Sequence, residues 1–167
     1  ERMNHLVSNL LEMAKSENAV KEQYKEENLS KIVEKEVLTF ESIIYEKELK
    51  VEYHIAEDIS FLCEANQIKQ VISILLDNAI KHSSEKGTIG VILQKEKSNI
   101  FLSVKNEGKT IPKEEQEKIF ERFYRADASR NRNENRYGLG LAIAKNIVEN
   151  HKGKILVHSE NGNTIFK

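Results

Sequence analysis

The sequence predicts an α/β domain in which amphipathic helices pack on a β-sheet, and three observations support this. The chain has 167 residues and is 39% hydrophobic, which is enough for one sizeable core. Over residues 65–81, apolar side chains recur at the i, i+3, i+4 and i+7 spacing of a helix with one buried face. Residues 88–95 and 99–105 instead alternate apolar and polar side chains, and this pattern predicts a β-hairpin.

Charge and cysteine content exclude several classes of function. The formal net charge is -1, so nothing global indicates a nucleic-acid partner or an anionic membrane surface. The single cysteine, Cys63, cannot form an internal disulfide and has no Cys/His cluster around it, so we expect it to be buried apolar filler. No signal peptide or run of about 20 apolar residues is found, and we therefore expect a cytoplasmic domain.

The N-terminal segment predicts the end of a bundle or coiled-coil helix. Met3, Leu6, Leu10 and Met13 follow a 3-4-3 spacing, which forms an apolar stripe that needs a partner helix. The polar run over residues 15–28 is typical of a charged connector. We place a boundary near residue 27, which divides the chain into residues 1–27 and a main domain over residues 28–167.

The main domain is expected to begin with a helix capped by Asn28 and to continue through short strands and helices. The predicted elements are a helix over 31–48, strands over 49–56 and 59–63, the helix and hairpin already described, a helix over 113–120, and closing strands over 154–158 and 163–167. Glycine and the only proline end the hairpin pattern at residues 108–112, and a turn over residues 160–162 joins the closing strands.

A Gly-x-Gly sequence at Gly138 and Gly140 opens a further helix, whose apolar residues include Ile143 and Ile147. The first turn of a helix has N–H groups without partners and the positive end of the helix dipole, and glycine lets a ligand approach the backbone closely. This start suits a phosphate group. A tight turn before a buried helix is the alternative for these two glycines alone.

Two neighbouring features strengthen the first interpretation. Residues 126–136 contain arginines and asparagines but almost no apolar side chains, so they predict a mobile basic loop that could fold over an anion as a lid. A solvated loop is the alternative.

Asn78 lies at the border of an apolar helix face, one turn before Lys81, and could hold a hydrated metal ion beside phosphates. The alternative here is a polar pair at a helix end.

Five motifs in fixed order resemble the catalytic, ATP-binding domain of bacterial sensor histidine kinases. They are similar to the asparagine box (residues 75–82), the first glycine box (104–112), the phenylalanine box (119–125), the second glycine box (137–141) and the closing Gly-x-Thr strand (162–166). The resemblance covers residues 28–167. Residues 3–11 also resemble the second helix of the family's dimerisation bundle.

The resemblance implies a two-layer α/β sandwich of the Bergerat type, with a mixed sheet on one side, helices on the other, and ATP between the helices and a lid. It assigns Asn78 to Mg²⁺, Lys81 to phosphate, and Asn106 to the place of the adenine-binding acid. Thr164 would support the adenine through water. Other residues implied in nucleotide binding are Gly108, Ile111, Tyr124, Arg125 at the lid hinge, Gly138, Leu139, Gly140 and Leu141.

Three positions depart from the family pattern: Ile74 replaces a second asparagine, Asn106 replaces an aspartate, and Thr110 replaces a glycine. The acceptor histidine followed by an acid and Thr-Pro is absent, so we expect it on a dimerisation domain outside this sequence. The implied protein is a homodimeric sensor kinase that passes the phosphoryl group to a response regulator and is anchored in the membrane through upstream segments.

Two alternative functions share this core. The first is a non-catalytic nucleotide-sensing module, which the three departures would suit. The second is an ATPase or serine kinase, which the phenylalanine box and the bundle-like N-terminal helix disfavour.

Overall fold

A computed structural model describes residues 24–124 and 138–167. The elements in these ranges are, in chain order, β1 (Lys25–Asn28), α1 (Leu29–Thr39), α2 (Glu41–Glu46), β2 (Lys50–Ile55), β3 (Ser60–Cys63), α3 (Ala65–His82), β4 (Thr88–Glu96), β5 (Asn99–Glu107), α4 (Lys113–Gln116), a 3₁₀ helix (Lys118–Phe120), α5 (Gly140–Asn150), β6 (Val157–Glu160) and β7 (Asn163–Phe166).

The main sheet has five strands in the order β2-β4-β5-β7-β6. It is mixed, because β2 runs parallel to β4 while the other neighbours are antiparallel. A parallel pair needs a crossover connection, and β3 and α3 supply it here. One sheet face buries Val91, Val104 and Phe166 in a core shared with helix residues such as Leu76 and Ile147. The predicted two-layer architecture is confirmed.

Helix α3 forms where the apolar periodicity predicted it. Glu64 caps its first turn, accepting hydrogen bonds from the N–H groups of Asn66 at 3.0 Å and Gln67 at 2.9 Å. All six apolar residues that define the pattern are buried. The helix ends at His82, so Asn78 and Lys81 lie in its last turns.

His151 joins the C-terminal end of α5 to the start of α3. Its Nδ1 lies 2.8 Å from the carbonyl oxygen of Ile147, and its Nε2 accepts the N–H of Glu64 at 3.2 Å. Because a backbone N–H can only donate, Nε2 is the acceptor and Nδ1 carries the proton. The ring of Tyr24 stacks on this imidazole with centroids 4.7 Å apart. The two helices are therefore fastened at the ends away from Asn78 and Gly140.

Two helix predictions are corrected. The single helix expected over residues 31–48 is wrong, because α1 ends at Thr39, where the N–H of Phe40 turns back to the Val37 carbonyl, and α2 begins at Glu41. Ile44 in α2 is buried in the core at 4% exposure. The helix expected over residues 113–120 is α4 followed by a separate 3₁₀ helix.

The strands differ from the sequence prediction at both ends of the domain. The polar composition of residues 25–28 predicts a charged connector, but these residues form β1, antiparallel to β3. The boundary near residue 27 therefore falls within a strand, and the predicted bundle helix lies outside the described residues.

Strand β6 is shifted towards its turn, where Asn161 and Gly162 both have positive φ, at 50° and 75°. Such turns fit closely paired strands.

Cys63 is fully buried at the end of β3, as predicted for apolar filler. Burial, reinforced by the carboxylates of Glu27 and Glu64, raises the pKa of its thiol to about 11. The side chain is therefore a neutral thiol at physiological pH.

Candidate functional site

The predicted site residues converge where β5, β7 and α3 end. Asn106 in β5 lies directly opposite Thr164 in β7, so both side chains are on the same sheet face. Two residues further along the chain, Gly108 forms a bridge to Ser83, which follows α3. The end of the first glycine box therefore lies against the end of the asparagine box, with the closing strand beside it.

Asn106 is a buried polar side chain without a protein partner. Only 3% of the residue is exposed, and no hydrogen bond joins its amide to another side chain or backbone group in the described ranges. An unpaired buried polar group costs about 1–3 kcal/mol. An amide also offers both a donor and an acceptor, so the edge of a purine base fits this group.

Gly108 allows the two boxes to touch. A Cβ atom built on Gly108 would lie 1.9 Å from the carbonyl oxygen of His82 and 3.1 Å from Nδ2 of Asn106. No side chain is compatible with the first distance, so a larger residue here would separate β5 from the end of α3. The N–H of Gly108 donates to the carbonyl of Gly162 at 2.8 Å, which fixes the same segment to the β6–β7 turn.

Thr110 and Ile111 complete this attachment. The Thr110 hydroxyl oxygen accepts the N–H of Gly162 at 2.8 Å, and the N–H of Ile111 donates to Oγ of Ser159 at 2.8 Å. The departure from the family's glycine at position 110 thus has a structural role in this protein. The segment after β5 is held at three points along the β6–β7 hairpin.

Asn78 and Lys81 lie one turn apart near the end of α3, and both are half-buried. Asn78 makes no hydrogen bond through its side chain with the rest of the described chain, so its amide oxygen can serve as a ligand. Ile74, one turn earlier, packs near the start of α5, because its Cγ2 lies 3.5 Å from a Cβ built on Gly140. Where the family pattern has an asparagine, this chain therefore has an isoleucine that makes an apolar contact between α3 and α5.

The residue set around Asn78 fits Mg²⁺ only if phosphates supply further ligands. Within residues 24–124 and 138–167, no group of three or more His, Cys, Asp or Glu side chains could hold a metal ion by itself. Mg²⁺ commonly retains several waters and takes one or two protein oxygens together with substrate phosphates. A single asparagine oxygen suits that arrangement.

The start of α5 is built for close approach. Gly138 has a positive φ of 66°, and a Cβ on it would lie 2.6 Å from the carbonyl oxygen of Tyr124, so both its conformation and its surroundings require glycine. Leu139 is buried, while Gly140 is exposed as the first helical residue. No side chain in the described part of the chain caps this end of α5, which leaves first-turn N–H groups for an anion.

Tyr124 and Gly138 flank the part of the chain that contains Arg125 and the predicted lid, both of which lie outside the described residues. The N–H of Phe123 donates to the carbonyl of Gly138 at 3.1 Å, so the two sides are in direct contact. Partial burial and the nearby Glu115 carboxylate, which accepts a hydrogen bond from the phenol, raise the pKa of Tyr124. The Tyr124 hydroxyl is thus a neutral group engaged with α4.

Three residues that the sequence motifs do not assign to the site hold it together. Glu107 accepts the N–H of Thr88 at 2.9 Å and thereby joins the end of β5 to the start of β4. Ser159 and Gln116 bind the segment around Ile111. Glu107 directly follows Asn106 in the sequence, so its place near the site could be inferred. Nothing in the sequence indicates that Ser159 belongs to the site, because its inward orientation depends on the shifted position of β6.

Residues 63–167 match the family described as histidine kinase-, DNA gyrase B-, and HSP90-like ATPase. The chain belongs to this family. Among curated relatives of this ATPase domain, it is 38% identical to the sensor protein DltS of Streptococcus agalactiae serotype V, over 96% of the chain and 40% of DltS. It is also 38% identical to the sensor histidine kinase YkoH of Bacillus subtilis, over 96% of the chain and 34% of YkoH.

Solved structures show the same ATPase fold. The catalytic domain of histidine kinase ThkA matches with a TM-score of 0.76 and 29% identity, over 86% of this chain and 91% of that one. The Acinetobacter baumannii histidine kinase AdeS matches with a TM-score of 0.78 and 27% identity, over 98% of this chain and 75% of that one. The resemblance to the ATP-binding domain of sensor histidine kinases is therefore confirmed.

The chain spans about two fifths of the length of DltS, the first of these relatives. None of the helices described in residues 24–124 and 138–167 is both long enough and apolar enough to cross a membrane.

Proposed function

We propose that this chain is the catalytic domain of a sensor histidine kinase, which binds Mg·ATP and transfers the γ-phosphoryl group to a histidine on a dimerisation domain outside the chain's main fold. The observation that carries the proposal is Asn106, a buried amide without a partner among residues 24–124 and 138–167. Its position opposite Thr164 gives the base end of the site two polar side chains on one apolar sheet face.

The phosphates would lie at the start of α5. Its uncapped first turn offers N–H donors and the positive end of the helix dipole. Gly138 and Gly140 keep that backbone accessible, and Leu139 and Leu141 anchor it in the core or against it. Lys81 would add positive charge from the end of α3, and Asn78 would hold Mg²⁺ together with phosphate oxygens.

ATP supplies the activated phosphoryl group, and the acceptor histidine nitrogen forms a bond to the γ-phosphorus as the bond to the bridging oxygen breaks and ADP departs. Phosphoryl transfer depends mainly on positioning and on stabilising the charge of the triphosphate. The contribution of this chain is therefore to fix the base against the sheet face that carries Asn106 and Thr164 and to hold the phosphates at α5, with the terminal phosphate presented to the acceptor.

The proposed partners are a second copy of the full-length protein, its own dimerisation domain and a response regulator, with a membrane anchor in upstream segments. Support for the regulator comes from ThkA, which has been solved in complex with the response regulator protein TrrA. That structure matches this chain with a TM-score of 0.71 and 25% identity.

Incubation of the full-length protein with γ-labelled ATP tests the proposal. We expect acid-labile, base-stable label on histidine, strong reduction of labelling in Asn78→Ala, and unchanged labelling in Asn99→Ala, which alters an exposed asparagine at the far end of β5. Acid-stable label would indicate a serine kinase. Phosphate release without label would indicate an ATPase, and nucleotide binding with neither outcome would indicate a nucleotide-sensing module.

A further inference from the structure

Ser159 is on the inward face of edge strand β6, next to the proposed base site. It contacts Thr164 in β7 and Ile111 in the segment after β5. Its hydroxyl oxygen accepts the N–H of Ile111 at 2.8 Å and lies 2.7 Å from Oγ1 of Thr164. Its carbonyl oxygen accepts Nε2 of Gln116 at 3.0 Å, and the same amide group donates to the Ile111 carbonyl at 2.9 Å. One serine thus connects β7, the segment after β5, and α4.

We propose that Ser159 is a positioning residue that fixes the Thr164 hydroxyl as a hydrogen-bond donor towards the base of the nucleotide. This inference rests on the proposed function, because it requires the base to lie beside Asn106 and Thr164. It concerns base recognition alone and is independent of the phosphate end of the site.

When the base site holds an acceptor, the direction of the Ser159–Thr164 hydrogen bond follows from the number of protons available. A serine hydroxyl has one proton to donate and two lone pairs to accept. The Ile111 N–H occupies one lone pair. Ser159 is only 3% exposed, and in the described chain its hydroxyl has no acceptor other than Thr164. Thr164 lies next to Asn106 in β5, whereas Ser159 lies one strand further away. Once the base or a bridging water offers an acceptor beside Thr164, only donation from Ser159 to Oγ1 of Thr164 satisfies both protons.

When Ser159 donates, the Thr164 hydroxyl has a fixed role in each of its hydrogen bonds. Its oxygen accepts from Ser159, so its own proton is free to point elsewhere, and no other residue of the described chain bonds to this hydroxyl. Thr164 is 4% exposed and faces the same side as Asn106. The donated proton is therefore directed into the base site, towards a ring nitrogen of the base or a water molecule that bridges to it.

Loss of Ser159 should weaken recognition of the base without weakening recognition of the phosphates. In Ser159→Ala the Thr164 hydroxyl can turn, and its proton is no longer reserved for the base. In Thr164→Val the donor itself is absent, so the state of Ser159 no longer matters. Non-additivity between the two substitutions is the signature of a residue that acts through another.

The test measures dissociation constants of this chain for Mg·ATP by titration calorimetry and for inorganic tripolyphosphate by displacement of a fluorescent ATP analogue. We expect Ser159→Ala and Thr164→Val each to weaken ATP binding about tenfold, with tripolyphosphate binding unchanged. The double variant should bind ATP no more weakly than Thr164→Val alone. Ser103→Ala, on the outward face of β5, is the matched control and should leave both constants unchanged.

Equal losses for ATP and tripolyphosphate in Ser159→Ala would mean a general structural role and would overturn the inference, as would additive losses in the double variant. If Ser159→Ala does not fold, Ser159→Cys retains a weaker donor and should show a smaller loss confined to ATP, while a loss shared with tripolyphosphate would refute the idea. Failure of the unsubstituted chain to bind ATP would instead reject the proposed function.

Discussion

Replacing Asn106 with aspartate tests whether this residue faces the edge of the base. A carboxylate only accepts hydrogen bonds, so it favours the amine of adenine and opposes the carbonyl that guanine presents at the same position. An asparagine can rotate to offer either its oxygen or its amide group. We therefore expect Asn106→Asp to discriminate more sharply against GTP than the natural side chain does.

The size of the effect follows from the burial of the site. Asn106 is 3% exposed and has no partner in the described chain, so no neighbouring protein group of that chain is placed to compensate for a mismatch once a base covers the site. An unpaired buried polar group costs about 1–3 kcal/mol, which corresponds to about tenfold or more in relative affinity. The ratio of GTP to ATP dissociation constants should rise by that factor.

Competition of GTP against a fluorescent ATP analogue measures this ratio in both proteins. Asn99→Asp introduces the same charge at the exposed end of the same strand and should leave the ratio unchanged. An unchanged ratio in Asn106→Asp would mean that Asn106 does not face the base, and the placement of adenine against the sheet face that carries Asn106 and Thr164 would be wrong.

Two further predictions concern other parts of the site. Asn78→Ala should weaken nucleotide binding in magnesium far more than in EDTA, because it removes a metal ligand; equal losses by calorimetry would contradict a metal role. Gly108→Ala should lower the free energy of unfolding in urea by about 1–3 kcal/mol or more, since the new Cβ would lie 1.9 Å from the His82 carbonyl oxygen. Gly90→Ala is its control, because that Cβ meets only an ordinary contact at 3.5 Å, and equal stability of the two variants would show that the close approach at Gly108 is wrong.

Elements with their own hydrophobic period could be predicted from the sequence. Helix α3 and the β4–β5 hairpin have strong periods, and both form within two residues of the predicted bounds. The break at Phe40 could not be predicted, because apolar residues continue through it with no glycine or proline to mark an end. Val37 and Ile44 are seven residues apart and both are buried, as they would be on one face of an unbroken helix, so the apolar pattern does not indicate the break.

Strand β1 and the role of Ser159 illustrate a different limit. The residues of β1 are mostly charged and have no apolar alternation, so their extended conformation comes from pairing with β3. Ser159 faces inward only because the Asn161–Gly162 turn fixes the register of β6 against β7. The motif residues were visible in the sequence, whereas the residues that orient them depend on contacts between distant segments.

His151 fastens the C-terminal end of α5 to the start of α3, so α5 can rotate about this point and move its other end, where the phosphates are proposed to bind. Helix α5 has 11 residues and is therefore about 16 Å long. A change of about 4° in its angle at His151 would move Gly140 by about 1 Å, a displacement that is large for positioning a reacting phosphate. In the described chain His151 contacts no predicted ligand residue. Its substitution can nevertheless alter the geometry of phosphate binding, because a small rotation of α5 at His151 displaces Gly140 at the other end of the helix.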